Sequence, residues 1–335
     1  MLKRISLVVL VLLALAATAA AVALLRAHLA VRAETALLPT LDAVEAAAAV
    51  GAIVDDAPVR LAMINTASQA MPRADVLSAD RDPHPGLPFV MSFPAFVAEW
   101  KDGRLLLIDA GMTRAGAVAF GRPLEWLGGA QPMVPHASAA EALGDATARL
   151  KGIVFTHLHT DHVGGIGELC QHRNSLTVAL TEAQAERTNY TTRPGRDLLE
   201  EADCVHFARV SGGPLFPVAG FPGVYLIDAG GHTPGSQIVL VFVRAADGTA
   251  HRYALTGDIV NHLDGILYDV PKPFAYRTFI VPESEPRQHE LRAFLKQLHD
   301  EAGFALLVSH DQQSLEASGV PEWTASQDGA APQGG

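Results

Sequence analysis

Within Thr156-His157-Leu158-His159-Thr160-Asp161-His162-Val163-Gly164-Gly165, three histidines and an aspartate fall inside six residues. The apolar run just before it, Gly152-Ile153-Val154-Phe155, reads as a short buried strand. In extended chain, side chains at i and i+2 project to one side, so His157 and His159 can grip one ion together. A turn directly afterwards lets Asp161 and His162 face the same space, and Gly164 and Gly165 let backbone pass close behind. Four metal-competent side chains this close suit two adjacent cations better than one, because one ion cannot accept all four without strain. A polar loop whose histidines cluster by chance is the bland alternative. Ligand types and spacing favour metal.

The pattern His157-x-His159-x-Asp161-His162 resembles the signature of the metallo-β-lactamase superfamily, and further parts of that family's pattern follow in its order. Asp109 closes Leu105-Leu106-Leu107-Ile108, and His232 sits in Gly231-His232-Thr233-Pro234-Gly235-Ser236. Asp258 ends Leu255-Thr256-Gly257-Asp258, and His310 follows Leu306-Leu307-Val308-Ser309. Together these cover the chain from about residue 60 to about residue 315. The resemblance implies an α/β fold, a four-layer αβ/βα sandwich of two mixed β-sheets with metals at one edge. It implies that one cation takes His157, His159 and His232, that a second takes Asp161, His162 and His310, and that Asp258 bridges both. Asp109 is implied outside the ligand set, fixing a histidine ligand or the loop that carries it.

Imidazole and carboxylate without thiolate suit zinc best, with iron, manganese and cobalt also admitted. Histidine-rich sites with open positions fit catalysis better than structure. The expected enzyme is therefore a dinuclear metal-dependent hydrolase in which a metal-bridging hydroxide attacks a small ester or lactone. Asp161 is the candidate catalytic residue, orienting that hydroxide and then carrying a proton to the leaving group.

Asp258 at the bridging position resembles lactonases, glyoxalase II and phosphotriesterases, whereas true β-lactamases place a cysteine or serine there. Ser309-His310-Asp311 resembles N-acyl homoserine lactone lactonases, which carry a tyrosine three residues after the bridging aspartate. This chain has Asn261 there, and Tyr268 or Tyr276 is the candidate substitute. Asn261, Tyr268 and Tyr276 are thus candidate substrate contacts on an aromatic, proline-bearing stretch. Equally, those aromatics cover the sheet edge. An exported β-lactamase or a phosphotriesterase of the same fold is the alternative activity. A metal-binding module without turnover is the alternative of another class.

Lys3 and Arg4 precede residues 5–25, which are apolar except for Ser6 and Thr18. Such a run is a membrane-targeting segment. Residues 1–30 are read as a signal peptide or a membrane anchor. Ala21-Val22-Ala23 offers a small-residue cleavage site, while the length of the run fits a span, and the uncleaved anchor is preferred. Export puts the catalytic domain outside the cytoplasm, periplasmic or held at the membrane. Residues 31–58 read as an Ala-rich helical stalk, 59–317 as the hydrolase domain and 318–335 as a disordered tail. The net charge of −11, without a Lys/Arg cluster, argues against nucleic acid and leaves a small molecule as the expected partner. The oligomeric state stays open. Cys170 and Cys204 either pair in an oxidising compartment or remain buried thiols.

Residues 90–100 and 104–108 read as a hairpin turning at Lys101-Asp102-Gly103. Residues 138–150 read as a helix, with Ser138 as N-cap and Glu141 completing a capping box. Residues 189–196, containing Pro194-Gly195, read as a loop. Residues 285–299 read as a helix with Leu291, Phe294, Leu295 and Leu298 as its buried stripe.

Overall fold

Ala95 to Ala98 and Leu105 to Ile108 are apolar without alternation and fully buried, which requires both faces of their strands to be covered. The computed structural model meets that requirement with two sheets packed face to face. It describes residues 2–34, 36–53, 56–126 and 129–324, with backbone alone for 2–7 and 51–53. Strands β1 (Arg60–Met71), β2 (Phe89–Glu99), β3 (Leu105–Ile108), β4 (Val134–Pro135), β5 (Leu150–Val154), β6 (Leu176–Leu180) and β7 (Val205–Arg209) form the first sheet. Its order is β4-β1-β2-β3-β5-β6-β7, antiparallel up to β3 and parallel beyond. Strands β8 (Phe216–Pro217), β9 (Val224–Asp228), β10 (Gln237–Arg244), β11 (Ala250–Gly257) and β12 (Ala305–Val308) form the second. Its order is β12-β11-β10-β9-β8, with only β11 and β12 parallel.

The helices are α1 (Leu2–Arg32), α2 (Leu41–Ile53), α3 (Arg114–Trp126), α4 (Ala139–Leu143), α5 (Thr160–Val163) and α6 (Ile166–His172). After these come α7 (Glu182–Glu186), α8 (Arg193–Glu201), α9 (Asp264–Leu267), α10 (Glu285–Asp300) and α11 (Gln312–Ala317). Three apolar interfaces separate four layers. In β10, Val239, Val241 and Val243 enter the core between the sheets, while Ile238, Leu240 and Phe242 face α2 and α10. In β3, Leu106 and Ile108 enter the central core, and Leu105 and Leu107 face the side of α4 and α6. The period of two thus divides one continuous apolar run between two interfaces. This is the expected αβ/βα sandwich.

Local expectations are met in part. The hairpin turns at Gly103, whose φ of 83° is the left-handed conformation that glycine adopts freely. Ser138 caps α4, and Glu141 completes the box from both directions. That helix is shorter than expected, because Gly144 breaks it and a 3-10 segment, Gly144–Arg149, leads into β5. The loop expected over 189–196 is also corrected. Pro194 occupies the first turn of α8, a position where its missing N–H costs nothing.

Both ends of the chain are tied to the body more closely than composition implies. Val44 and Ala48 of α2 are buried against the second sheet, so the alanine-rich stalk packs instead of standing free. The expected disordered tail is corrected at its start. Met63 N–H donates to the Pro321 carbonyl, Trp323 N–H donates to the Met63 carbonyl, and Trp323 is buried. The rest of that expectation, 325–335, lies outside the described residues. Cys170 and Cys204 form a disulfide.

Candidate metal centre

Strand ends supply the site. His157 follows β5, Asp109 follows β3, Asp258 follows β11 and His310 follows β12, so the two parallel pairs deliver one residue each from the same edge. His232 lies in the turn between β9 and β10, and Asp161 and His162 lie on α5. The ligand atoms of His157, His159, His232 and Asp258 fall within 4.8 Å of one another, and so do those of Asp161, His162, Asp258 and His310. Asp258 belongs to both groups. These are the seven residues, divided in the same two sets, that the sequence motifs single out.

Polar partners behind the site turn these rings inward. His162 Nδ1–H donates to Asp109 Oδ2 at 2.9 Å, and His232 Nδ1–H donates to Glu283 Oε1 at 2.6 Å. His310 Nδ1–H donates to the Ser92 carbonyl at 2.8 Å. In His162 and His232 this leaves Nε2 without a hydrogen-bond partner, the usual way a supporting hydrogen bond fixes the tautomer of a ligand, while His310 Nε2 lies 2.9 Å from Asp258 Oδ2. Asp109 also accepts from Thr156 N–H at 2.7 Å and from Thr156 Oγ1 at 2.8 Å, which holds the start of the histidine loop. It does so with φ at 59°, an uncommon conformation outside glycine.

These residues fit a pair of cations. His159 Nε2, His162 Nε2, His232 Nε2 and Asp258 Oδ1 are buried without a hydrogen-bond partner. His157 Nε2 and His159 Nδ1 face each other at 3.0 Å, a contact that calls for a shared proton or a cation. Buried polar atoms left unpaired are costly, and coordination satisfies them together. Three of the five rings are held neutral by their surroundings. Burial pushes His157 and His232 well below the ordinary imidazole value and His159 to about 3, so these rings are neutral donors. For His162 burial acts in the same direction, but Asp109, Asp258 and Asp161 outweigh it and raise the ring well above its usual range. For His310 the carboxylates of Asp258 and Asp161 likewise overcome burial and raise it. For Asp258 burial is overcome by His310, His157 and His162, which hold it well below the usual carboxylate range.

A cavity of about 320 Å³ opens on this cluster. His159, Asp161, Asp258 and His310 form its floor, and Met91, Phe120, Leu124, Ile280 and Val281 give it an apolar wall. Asn261 and Tyr276 both line it. Burial, and then the carboxylates of Glu283, Asp258 and Asp161, raise the Tyr276 phenol well above its usual range, so it stays protonated. Tyr268 is the correction among the candidate substrate contacts. It is 54% exposed, does not line the cavity and meets His84 edge-on with ring centroids 5.8 Å apart.

Three participants escape the sequence reading. Glu283 orients His232, and Lys272 Nζ donates to Glu283 Oε1 at 2.7 Å and to the Asp258 carbonyl. Glu34, just beyond α1, accepts the Gly235 N–H at 3.1 Å and so braces the turn that holds His232. A lone lysine between Pro271 and Pro273 is the one local signal among them; the two glutamates have none.

Residues 94–310 match the family model described as metallo-beta-lactamase superfamily. A comparison with curated proteins returns no match. Among solved structures, an N-acyl homoserine lactone hydrolase with the product N-hexanoyl-L-homoserine at its catalytic metal centre is 18% identical with a TM-score of 0.54. The alignment covers 78% of this chain and 96% of that one. An AiiA variant from B. thuringiensis with N-decanoyl-L-homoserine at its active site is 18% identical with a TM-score of 0.53, over 78% and 96% of the two chains. At this identity the likeness shows a shared fold.

Proposed function

The chain belongs to the metallo-β-lactamase superfamily and is a metal-dependent hydrolase, and from that premise we propose that it holds two divalent cations and opens a small ester or lactone. The observation that carries this reading is the sharing of Asp258 between two four-residue groups. One cation is assigned to His157, His159 and His232, the other to Asp161, His162 and His310, with Asp258 between them. The donor set, imidazole and carboxylate without thiolate, favours zinc. When bound, such a pair supplies Lewis acidity and lowers the pKa of water from 15.7 to about 7.

The chain's own groups then have distinct tasks. Asp161, on the cavity floor, orients the attacking water and passes its proton to the leaving oxygen. Tyr276 keeps its phenolic proton, so it can donate to the ester or lactone oxygen on which charge develops. It fills the role for which Asn261 carries no hydroxyl. Met91, Phe120 and Leu124 exclude water from the rest of the substrate and accept a hydrocarbon group. A lactone is favoured over a β-lactam by Asp258 at the shared position. The lactone hydrolase among the neighbouring structures, and the N-acyl homoserines bound in both, support the same choice.

The apolar helix α1 and the Cys170–Cys204 disulfide support export, with the catalytic domain outside the cytoplasm and α1 retained as an anchor. A panel of a short-chain homoserine lactone, an aryl ester, an aryl phosphotriester and a chromogenic cephalosporin tests the activity, after loading with zinc, manganese or cobalt. Preferred turnover of the lactone is expected. No turnover of any substrate by protein carrying two metals per chain would leave a binding module in its place.

A further inference from the structure

Helix α1 is exposed at every described side chain from Val8 to Ala23, and its burial begins at Leu24. From there Ala27 and Val31 pack against the body, and His28 Nε2 lies 3.0 Å from the Thr278 carbonyl. Thr278 belongs to the segment that also carries Phe274, Phe279 and Ile280, which are 63%, 60% and 55% exposed. These side chains therefore do not cover the sheet edge. Phe274 and Phe279 meet edge-on, with ring centroids 6.2 Å apart, and the Arg277 guanidinium lies over Phe274. Ile280 is at once part of this exposed patch and part of the wall of the metal-site cavity, which half-buried Tyr276 and buried Val281 also line.

The depth of the patch follows from helix geometry. The apolar run of α1 ends at Leu25, and His28 lies three residues further, about 4.5 Å along the axis. The polar headgroup layer on each side of a bilayer is roughly 5–7 Å thick. A helix spanning the membrane up to Leu25 thus carries the Thr278 segment within the headgroup layer, where aromatic and aliphatic side chains beside an arginine are at home. Leu29, 56% exposed, and Arg26 are exposed on the same turn of the helix.

We propose that the mouth of the metal-site cavity rests on the bilayer surface through Phe274, Phe279 and Ile280, and that the substrate is an amphiphile taken from that bilayer. The substrate's reactive group rests on the proposed ester or lactone hydrolysis; the membrane contact does not. An acyl chain would leave the lipid along Ile280 without crossing water, while its carbonyl reaches Asp258 and His310. Every CH₂ kept out of water is favourable, so a path that never exposes the chain lowers the barrier to transfer.

The test uses the full chain in phosphatidylcholine vesicles whose acyl chains carry bromine, a contact quencher of tryptophan. Of the three tryptophans, Trp100 and Trp323 are buried, so a Trp126→Phe background leaves no exposed one. In it, Phe279→Trp is compared with Lys101→Trp, which lies in the β2–β3 turn at the end of the molecule opposite Asp109. Quenching severalfold stronger for F279W is expected. Equal quenching, quenching lost because the patch is covered by a second copy of the chain, or a mature protein lacking residues 1–23 would each overturn the proposal. In parallel, Phe274→Ser with Phe279→Ser should raise KM severalfold for a long-chain acyl lactone presented in vesicles and leave a soluble short-chain lactone unaffected. An equal change for both substrates would also overturn it. Quenching needs no turnover, so an enzyme that contacts lipid yet hydrolyses nothing sinks the hydrolase reading alone.

Discussion

Asp109 and His162 lie 2.9 Å apart across 53 residues of sequence, and the contact leaves His162 Nε2 as the only free nitrogen of its ring. The same carboxylate holds Thr156, the residue before His157. One buried acid therefore sets the direction of a ligand in the second group and the path of the loop that carries the first.

Replacing Asp109 by asparagine keeps the shape and tolerates the positive φ, but removes the charged acceptor. Affinity for the cation at Asp161, His162 and His310 should fall about 10–100-fold, the usual effect of losing such a supporting partner. Competition with a chromophoric chelator measures this. Unchanged affinity would remove Asp109 from the role given to it.

Asp258→Ala and His310→Ala should differ in metal content. His310 belongs to one group and Asp258 to both, so His310→Ala is expected to retain one cation and Asp258→Ala to lose affinity for both. Elemental analysis after dialysis decides between them. Chelation of the native protein should abolish hydrolysis, and restoring the metal should recover it. Two retained cations in the Asp258 variant would disprove the shared ligand.

Tyr276→Phe should lower kcat by about tenfold to a hundredfold, less than or comparable to the loss of one oxyanion donor, with metal content unchanged. Tyr268→Phe should leave both kcat and metal content unchanged, since Tyr268 is 54% exposed beside His84. A kcat effect in the Tyr268 variant would contradict the placement of the cavity.

Glu34 ties stability to pH. Burial raises its pKa from 4.5 to about 7, against the Gly235 N–H and nearby arginines that lower it. The folded chain therefore holds this proton more tightly than the unfolded one. The resulting stability is fully present below about pH 4.5 and is lost as pH rises to about 7. The loss is on the order of 3 kcal/mol. Glu34→Gln, neutral at every pH, should melt like the native protein near pH 5 and several degrees higher at pH 8. Parallel melting curves at both pH values would refute this linkage.

Joining Cys170 to Cys204 closes a loop with a sequence separation of 34, which is worth about 3–4 kcal/mol on the chain-entropy account. The double variant Cys170→Ser with Cys204→Ser should lose stability of that order in urea unfolding while keeping its metal content. A midpoint equal to that of the native protein would show that the unfolded chain is little constrained by the bridge.

Residue types and spacing alone pointed to metal at His157, His159, Asp161 and His162; the resemblance to the metallo-β-lactamase superfamily implied the other candidate ligands, the division into two sets, and Asp109 behind them. Ligand chemistry admits few side chains, His157 and His159 depend only on the short-range geometry of extended chain, and an apolar run marks each strand end that carries another ligand. The sandwich, too, was legible through that resemblance, and the unbroken apolar strands, which demand cover on both faces, are consistent with it. Tertiary structure alone chose Tyr276 over Tyr268, brought Glu283 to His232 across 51 residues, and carried Glu34 to Gly235 across 201. It also turned the Thr278 segment towards α1. Such contacts follow no period and no local propensity; they arise only when separate layers pack, so nothing in the neighbouring sequence announces them.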